Sequence, residues 1–401
     1  MVVLADVLRE LSWTDRLLTP AILLSMIVGV IIGELAGNDV RDAFDTTTFR
    51  GVSLPIAIGL IVMMWPVLTK VQYEALPALF STWHLWTQTF ISLFLNWIIG
   101  PFVMLGLAWA TLPDLPLYRT GVIMVGLARC IAMVMIWNQL ARGDANYCAV
   151  LVIINSVLQI ILYSPLAVLF INIIGHADKH AAIRISYGEV AIAVLIYLGI
   201  PLAAGCVTRY SVWLMTSKHF LEKKFLPYFG HLSLIGLLYT IIVMFAYQGH
   251  QILHHLGPVF RTMVPLVLYF VIMWNIAFWW LYRLNGRYGS NGSFSYEMAV
   301  VQAFTSGSNN FELAIAVAIA VYGVDSQQAL AATIGPLVEV PVLLALTWVA
   351  LYLRAKLSWT VVENASSVED VKVEHEGSGA SPSLHSARQR EEHGVVRPLH
   401  P

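Results

Sequence analysis

The sequence predicts an all-α polytopic membrane protein, with ten transmembrane helices in two inverted five-helix repeats and the fourth and ninth helices broken and crossing. Three observations carry this. The 401 residues are 58% hydrophobic and only 12% charged, against about 25% charged for a soluble domain. Apolar runs of membrane-spanning length recur from Leu17 to Leu353. A shift of 180 residues brings the two halves of the chain into register.

The spans fall at 17–36, 52–69, 84–110, 119–141, 147–174, 188–207, 230–248, 259–282, 296–322 and 327–353. Polar stretches with turn residues separate them, such as "GNDVRD", "TLPDLP", "ARGDAN", "GHADKH", "LNGRYGSNGS" and "YGVDSQQ". The first run is of spanning length and ends at Glu34 and Gly37, so it reads as a retained helix rather than a cleaved signal. Its "GVIIG" (29–33) is a small-xxx-small packing motif. Residues 1–16 read as a cytosolic N-terminus, 17–174 as the first repeat and 175–355 as the second. Residues 356–401 are polar and Gly/Ser-rich, which predicts a disordered cytosolic tail.

Orientation follows from lysine and arginine. With the N-terminus in the cytosol, the inner segments carry Arg9, Arg16, Lys70, Arg142, Arg209, Lys218, Lys223, Lys224, Arg283 and Arg287. The outer loops carry Arg41, Arg50, Arg119, Lys179, Arg184 and Arg261. The excess, concentrated in the "SKHFLEKKF" segment, places both termini inside.

Several classes are excluded. A net charge of −1 argues against a nucleic-acid partner. Cys130, Cys148 and Cys206 form neither a disulfide framework nor a CxxC motif. No HExxH, GxSxG or paired-acid motif points to an enzyme, and no resident cofactor is implied. No Walker A motif supplies ATP-driven work, so any active transport draws on an ion gradient. The "HQILHH" stretch (250–255) is placed in an outer loop, where no acid or thiol completes a metal site.

At the 180-residue offset Ser53-Leu54 falls on Ser233-Leu234, Gly143 on Gly323, Asn155 on Gly335 and Gln159 on Glu339. Asn96 meets Asn275 after a one-residue slip. An odd number of spans per repeat forces opposite insertion, the inverted-repeat plan of secondary transporters, whose sites lie near the midplane at helix breaks. The fourth span of each half carries the breakers: "GLARCIAM" (126–133) and "TSGSNNFELA" (305–314). Irregular backbone at this depth needs protein or water to satisfy it.

An arginine there costs about 2.5–3.5 kcal/mol on insertion scales, so Arg129 needs a reason. It must pair with a carboxylate, line water or bind carbonyls; Glu312 and Glu339 are both open as its partner. Cys130 beside it is a candidate soft ligand, although a lone membrane cysteine is more often a small apolar residue. Glu339, between Pro336 and Pro341, is a candidate proton carrier, and Glu312 competes for that role. Ser306, Ser308, Asn309 and Asn310 are placed at the crossing. Asn96 and Asn275 read equally well as interhelical hydrogen-bonding groups, and Trp109 and Trp137 as interface or packing aromatics.

"LARCIAMVMIWNQLARGDANYC" (127–148), "SGSNNFELAIAVAIAVYGVDS" (306–326) and "GPLVEVPVLL" (335–344) resemble the arsenite efflux permeases of the arsenical-resistance-three type, in the bile acid:sodium symporter superfamily. The resemblance covers nearly all of 17–355, and the "ARC" triplet and long tail are similar to the fungal branch. It implies a transporter exporting trivalent arsenite, in some members antimonite, in exchange for protons, and a place in the plasma membrane. It also implies that Cys130 and Glu339 are the essential thiol and carboxylate, and that Asn96, Trp109, Arg129, Trp137 and Arg209 are important positions. Trivalent arsenic is soft, which suits Cys130 as its metalloid ligand. Asn96, Arg129, Asn309, Asn310 and Trp137 are then the further substrate residues, and Glu339 and Glu312 the proton-coupling pair. A sodium-coupled carrier of organic anions is the alternative within the same superfamily.

Overall fold

The computed structural model describes residues 13–45, 48–49, 52–74, 83–131, 133–175, 184–254, 256–288 and 294–359. Each predicted span is a helix or a chain of helical segments. The first is Trp13–Asp45, the second Leu54–Thr69 and the eighth Leu256–Tyr288. The third runs from Trp83–Phe94 through a π turn, Leu95–Ile99, into Gly100–Thr111. The fifth runs from Ala145–Ala167 into a π segment, Val168–Ile174. The sixth joins Tyr187–Val194, the π turn Leu195–Gly199 and Ile200–Met215. The tenth joins Gln327–Thr333 to Gly335–Lys356. Pro336 sits in the first turn of that second segment, where its missing donor costs nothing.

The fourth and ninth spans are broken. Pro116–Leu127 is separated from Met133–Leu140, and Tyr296–Gly307 from Phe311–Tyr322. The leading halves, Pro116–Leu127 and Tyr296–Gly307, lie 180 residues apart at both ends. Outside the helices, Thr48–Phe49 pairs antiparallel with Val52–Ser53.

The seventh span differs from the sequence reading. "SKHFLEKKF" is not a loop: Lys218–Phe220 and the π turn Leu221–Phe225 lead directly into Leu226–His254. Ser217 caps this start by accepting a hydrogen bond from the Phe220 N–H. The same helix runs through His254, so residues 250–254 of "HQILHH" are helical rather than loop; His255 lies outside the described residues. Residues 1–12 and 360–401, which hold most of the expected N-terminal segment and tail, also lie outside them.

Packing sorts the spans into two groups that cut across the repeats. The first, second, sixth and seventh pack together, and the remaining six form a second bundle around the breaks. In the first group the predicted glycine motif makes its contact. A Cβ on Gly33 would run into the Ala246 carbonyl oxygen, and Gly249 closes on Val30 and Gly33 from the other side. Only glycine permits this approach of two backbones. The outward surface carries Leu24, Phe90, Phe102, Ile161, Ile173, Val207 and Phe260 exposed. An apolar girdle of that extent belongs against hydrocarbon, and the buried arginines and amides belong inside.

Candidate functional site

The two breaks meet. Arg129 and Asn309, repeat mates at the 180-residue offset, form an isolated antiparallel β-bridge. The backbone leaves helical geometry at Ala128 and again at Ser308, both extended. Groups freed by the breaks are satisfied across the crossing. The Asn310 N–H donates to the Ala128 carbonyl at 3.1 Å. The Asn309 amide donates to the carbonyls of Val125 and Ala128 at 3.0 and 3.1 Å. The Ser306 and Ser308 hydroxyls return to the carbonyls of Gln302 and Phe304. Asn310 caps the second half of the ninth span by accepting from the Leu313 N–H.

Two further side chains hold the bridge, one per repeat. The Gln159 Oε1 accepts the Arg129 N–H at 3.0 Å, and the Glu339 Oε1 accepts the Asn309 N–H at 3.4 Å. Both acceptors are buried.

Cys130 is 2% exposed, faces the Ser308 hydroxyl and lies within electrostatic reach of Glu339 and Glu312. Arg129 is wholly buried. Its Nη1 donates to the Tyr269 hydroxyl at 2.9 Å, and that hydroxyl donates to the Ser306 carbonyl at 3.2 Å. Neither Glu312 nor Glu339 pairs with Arg129: among the described residues it has no carboxylate within ion-pair distance, and its Nε and Nη2 stay unpartnered. The Tyr269 hydroxyl is the one polar group that its side chain bonds among the described residues. Gly100 makes the room, since a Cβ there would lie 2.7 Å from Nη1.

The crossing therefore gathers Arg129, Cys130, Ser308, Asn309, Asn310, Glu312 and Glu339. Asn96 and Trp137 are buried but make no hydrogen bond to that group. Asn96 bonds only Ser92, in its own helix, leaving its Oδ1 unpartnered. Asn275 also bonds within its own helix, to the Val271 carbonyl and the Trp279 indole, so neither asparagine joins two helices. That work falls to Trp97 on Asn155 at 3.1 Å, and to Gln302, which donates to Gln88 and Tyr147. Trp109 is stacked under the Arg119 guanidinium at 3.6 Å. Arg119, expected in an outer loop, is instead buried at a helix start, donating to the carbonyls of Leu112 and Pro113. Sequence reasoning missed Tyr269 and Gly100; Gln159 was signalled only as the repeat mate of Glu339.

Away from the crossing, ion pairs tie the loops to the spans. Arg209, fully buried, holds Glu74 through two hydrogen bonds and also donates to the Thr69 carbonyl. Burial opposes ionisation of Glu74, but the Arg209 bonds outweigh it and its carboxyl is lowered. Asp114 is bound by two nitrogens of Arg261, which hold its carboxyl down at about 2. Among the described residues no three of His, Cys, Asp and Glu gather as a metal centre.

Comparison with known proteins gives a consistent neighbourhood. The model of the Sodium Bile acid symporter family matches residues 57–255. The chain is 40% identical over 350 residues to the arsenical-resistance protein Acr3 of Corynebacterium glutamicum, covering 87% of this chain and 91% of that one. It is 32% identical over 356 residues to an uncharacterized transporter of Synechocystis sp., covering 84% and 88%. It is 28% identical over 348 residues to the arsenical-resistance protein Acr3 of Alkaliphilus metalliredigens, covering 84% and 92%.

Proposed function

The chain belongs to the Acr3 arsenical-resistance family of membrane transporters, related to the sodium bile acid symporters, and from that premise we propose that it exports trivalent arsenite in exchange for protons. The observation that carries the site is the crossing itself: residues from both repeats converge on one buried point, with Cys130 beside Ser308 and Glu339 bonded to the bridge. Arsenous acid is neutral and its arsenic is soft. One thiol suits it as a releasable ligand. The unpartnered Nε and Nη2 of Arg129, the Asn309 Oδ1 and the Asn310 Nδ2 match the hydroxyl groups that a bound arsenous acid presents. Asn96, whose Oδ1 is also unpartnered, and Trp137 complete the proposed surroundings.

Glu339 is the proposed proton carrier, with Glu312 electrostatically coupled to it. Arsenite binds from the cytosol, the two bundles rock about the crossing, and a proton reaching Glu339 from outside accompanies release and resetting. Both termini in the cytosol, a plasma-membrane location and transport of antimonite belong to the same proposal.

The test is arsenite uptake into everted vesicles with an imposed proton gradient. Uptake that needs the proton gradient and ignores sodium supports the reading; uptake driven by sodium alone assigns the chain to the organic-anion mode instead. Cys130→Ser should abolish uptake, and wild-type uptake by that variant removes the sulfur ligand from the mechanism.

A further inference from the structure

One contact of the crossing is made twice, once by each repeat, and its two copies differ in whether the acceptor can carry a proton. Arg129 and Asn309 are repeat mates and bridge each other. Each backbone N–H at the bridge is accepted by a side-chain oxygen from the last span of its own repeat, thirty residues further on. Those acceptors, Gln159 and Glu339, are themselves repeat mates at the 180-residue offset. One is a carboxamide and has no proton to exchange. The other is a carboxyl of nearly the same shape that does.

We propose that Gln159 is a positioning residue: the proton-insensitive twin of Glu339, which holds the fourth-span break fixed while the Glu339–Asn309 contact strengthens and weakens with the proton. This rests on the proton-coupling reading above. An ionised carboxylate accepts a hydrogen bond about twice as strongly as a neutral group does. Deprotonation of Glu339 therefore tightens the ninth-span break, and protonation returns it to the strength that Gln159 provides permanently. Only one half of the crossing responds to pH, which gives the cycle a fixed half and a switching half. The groups facing Glu339 are Glu312 from the ninth span, Cys130 from the fourth and the Asn309 backbone. Gln159 accepts from the Arg129 backbone and lies one turn from Tyr163 on its own helix; Tyr322 of the ninth span faces Tyr163, with Glu189 of the sixth span within electrostatic reach of Tyr322. An acid installed at 159 would stand beside the Arg129 cation, which favours its ionised form.

The experiment exchanges the pair. Protons released or taken up on arsenite binding to the purified full-length protein are counted by calorimetry in buffers of different ionisation heat. The wild type should exchange about one proton, and Glu339→Gln about none, near neutral pH. The double variant Gln159→Glu/Glu339→Gln should recover about one, now supplied by the first repeat and at lower pH than in the wild type, because Arg129 favours the ionised form of an acid at 159. Binding by the double variant with no proton exchanged overturns the twin assignment and leaves proton coupling through Glu339 intact. Wild-type proton exchange in Glu339→Gln alone overturns the coupling reading, and this inference with it. Should Gln159→Glu fail to accumulate, Gln159→Leu decides. It should weaken arsenite binding about five- to tenfold, the loss of one hydrogen bond, while keeping the wild-type proton count; unchanged binding, or a lost proton, overturns the proposal.

Discussion

Gly100→Ala is a small change with a calculable result. The added Cβ would stand 2.7 Å from the Arg129 Nη1 and 2.9 Å from the Tyr269 hydroxyl. Both are side-chain ends, so the structure can yield by moving the guanidinium off Tyr269. That breaks the 2.9 Å bond and leaves a third buried donor of Arg129 unmet. Losing a hydrogen bond to a charged group costs about 1.5–3 kcal/mol. Replacing glycine by alanine inside a helix returns about 0.5–1 kcal/mol. The net, about 0.5–2.5 kcal/mol, corresponds to about a two- to seventyfold change in an equilibrium constant. The assay is concentration-dependent arsenite uptake in vesicles, paired with thermal unfolding in detergent, for Gly100→Ala, Tyr269→Phe and the double variant. The two single changes remove the same bond, so the double variant should fall well short of their sum. Strict additivity, or wild-type affinity in Gly100→Ala, would refute the claim that Gly100 makes room for the arginine.

Three further outcomes follow from the packing and the loops. Gly33→Ala puts a methyl group against backbone that cannot yield and should cost about 1–3 kcal/mol, read as a lower unfolding temperature; an unchanged midpoint means the helices part freely there. Glu74→Gln strips buried Arg209 of its bidentate partner and should destabilise by about 3 kcal/mol, the low end for a broken buried pair because Glu74 is partly exposed. Recovery of stability in Glu74→Gln/Arg209→Met is the confirming readout. The Asp114 carboxyl is lowered to about 2, so the Arg261 clasp is complete above the ordinary carboxylate range and is lost as pH falls toward 2. Arg261→Gln should move that titration up to about 4, seen in the infrared carboxylate band; no movement means the pair is not formed.

The crossing was legible because its residues violate their surroundings. An arginine and a thiol in one apolar run, and "SGSNNFE" at the same place in the other half, mark breaks that hydropathy alone would smooth over. What the sequence left dark is what does not stand out. Tyr269 and Gly100 are ordinary residues of apolar spans, and only packing turns them toward Arg129. Of the options open for Arg129, the ion pair is not taken: its guanidinium bonds the Tyr269 hydroxyl and keeps Nε and Nη2 unpartnered, and hydropathy carries no signal of that geometry. The reading of Asn275 as a link between helices failed because a helical face is a matter of angle, and at its angle it bonds its own helix. The charged 218–225 segment reads as a loop by composition, yet Ser217 caps it into a helix.

The π turn Leu95–Ile99 has a genealogical meaning. A π turn holds one residue more than the α-helix it interrupts. The third span has one here, while its counterpart Leu256–Tyr288 is α-helical throughout. The one-residue slip between Asn96 and Asn275 falls at this turn. The first half thus holds one residue more than the second up to Asn96, taken up by widening one helical turn, and the 180-residue register is restored by Pro116. The turn ends where Gly100 begins, so the register that brings Gly100 against Arg129 is the register the insertion set.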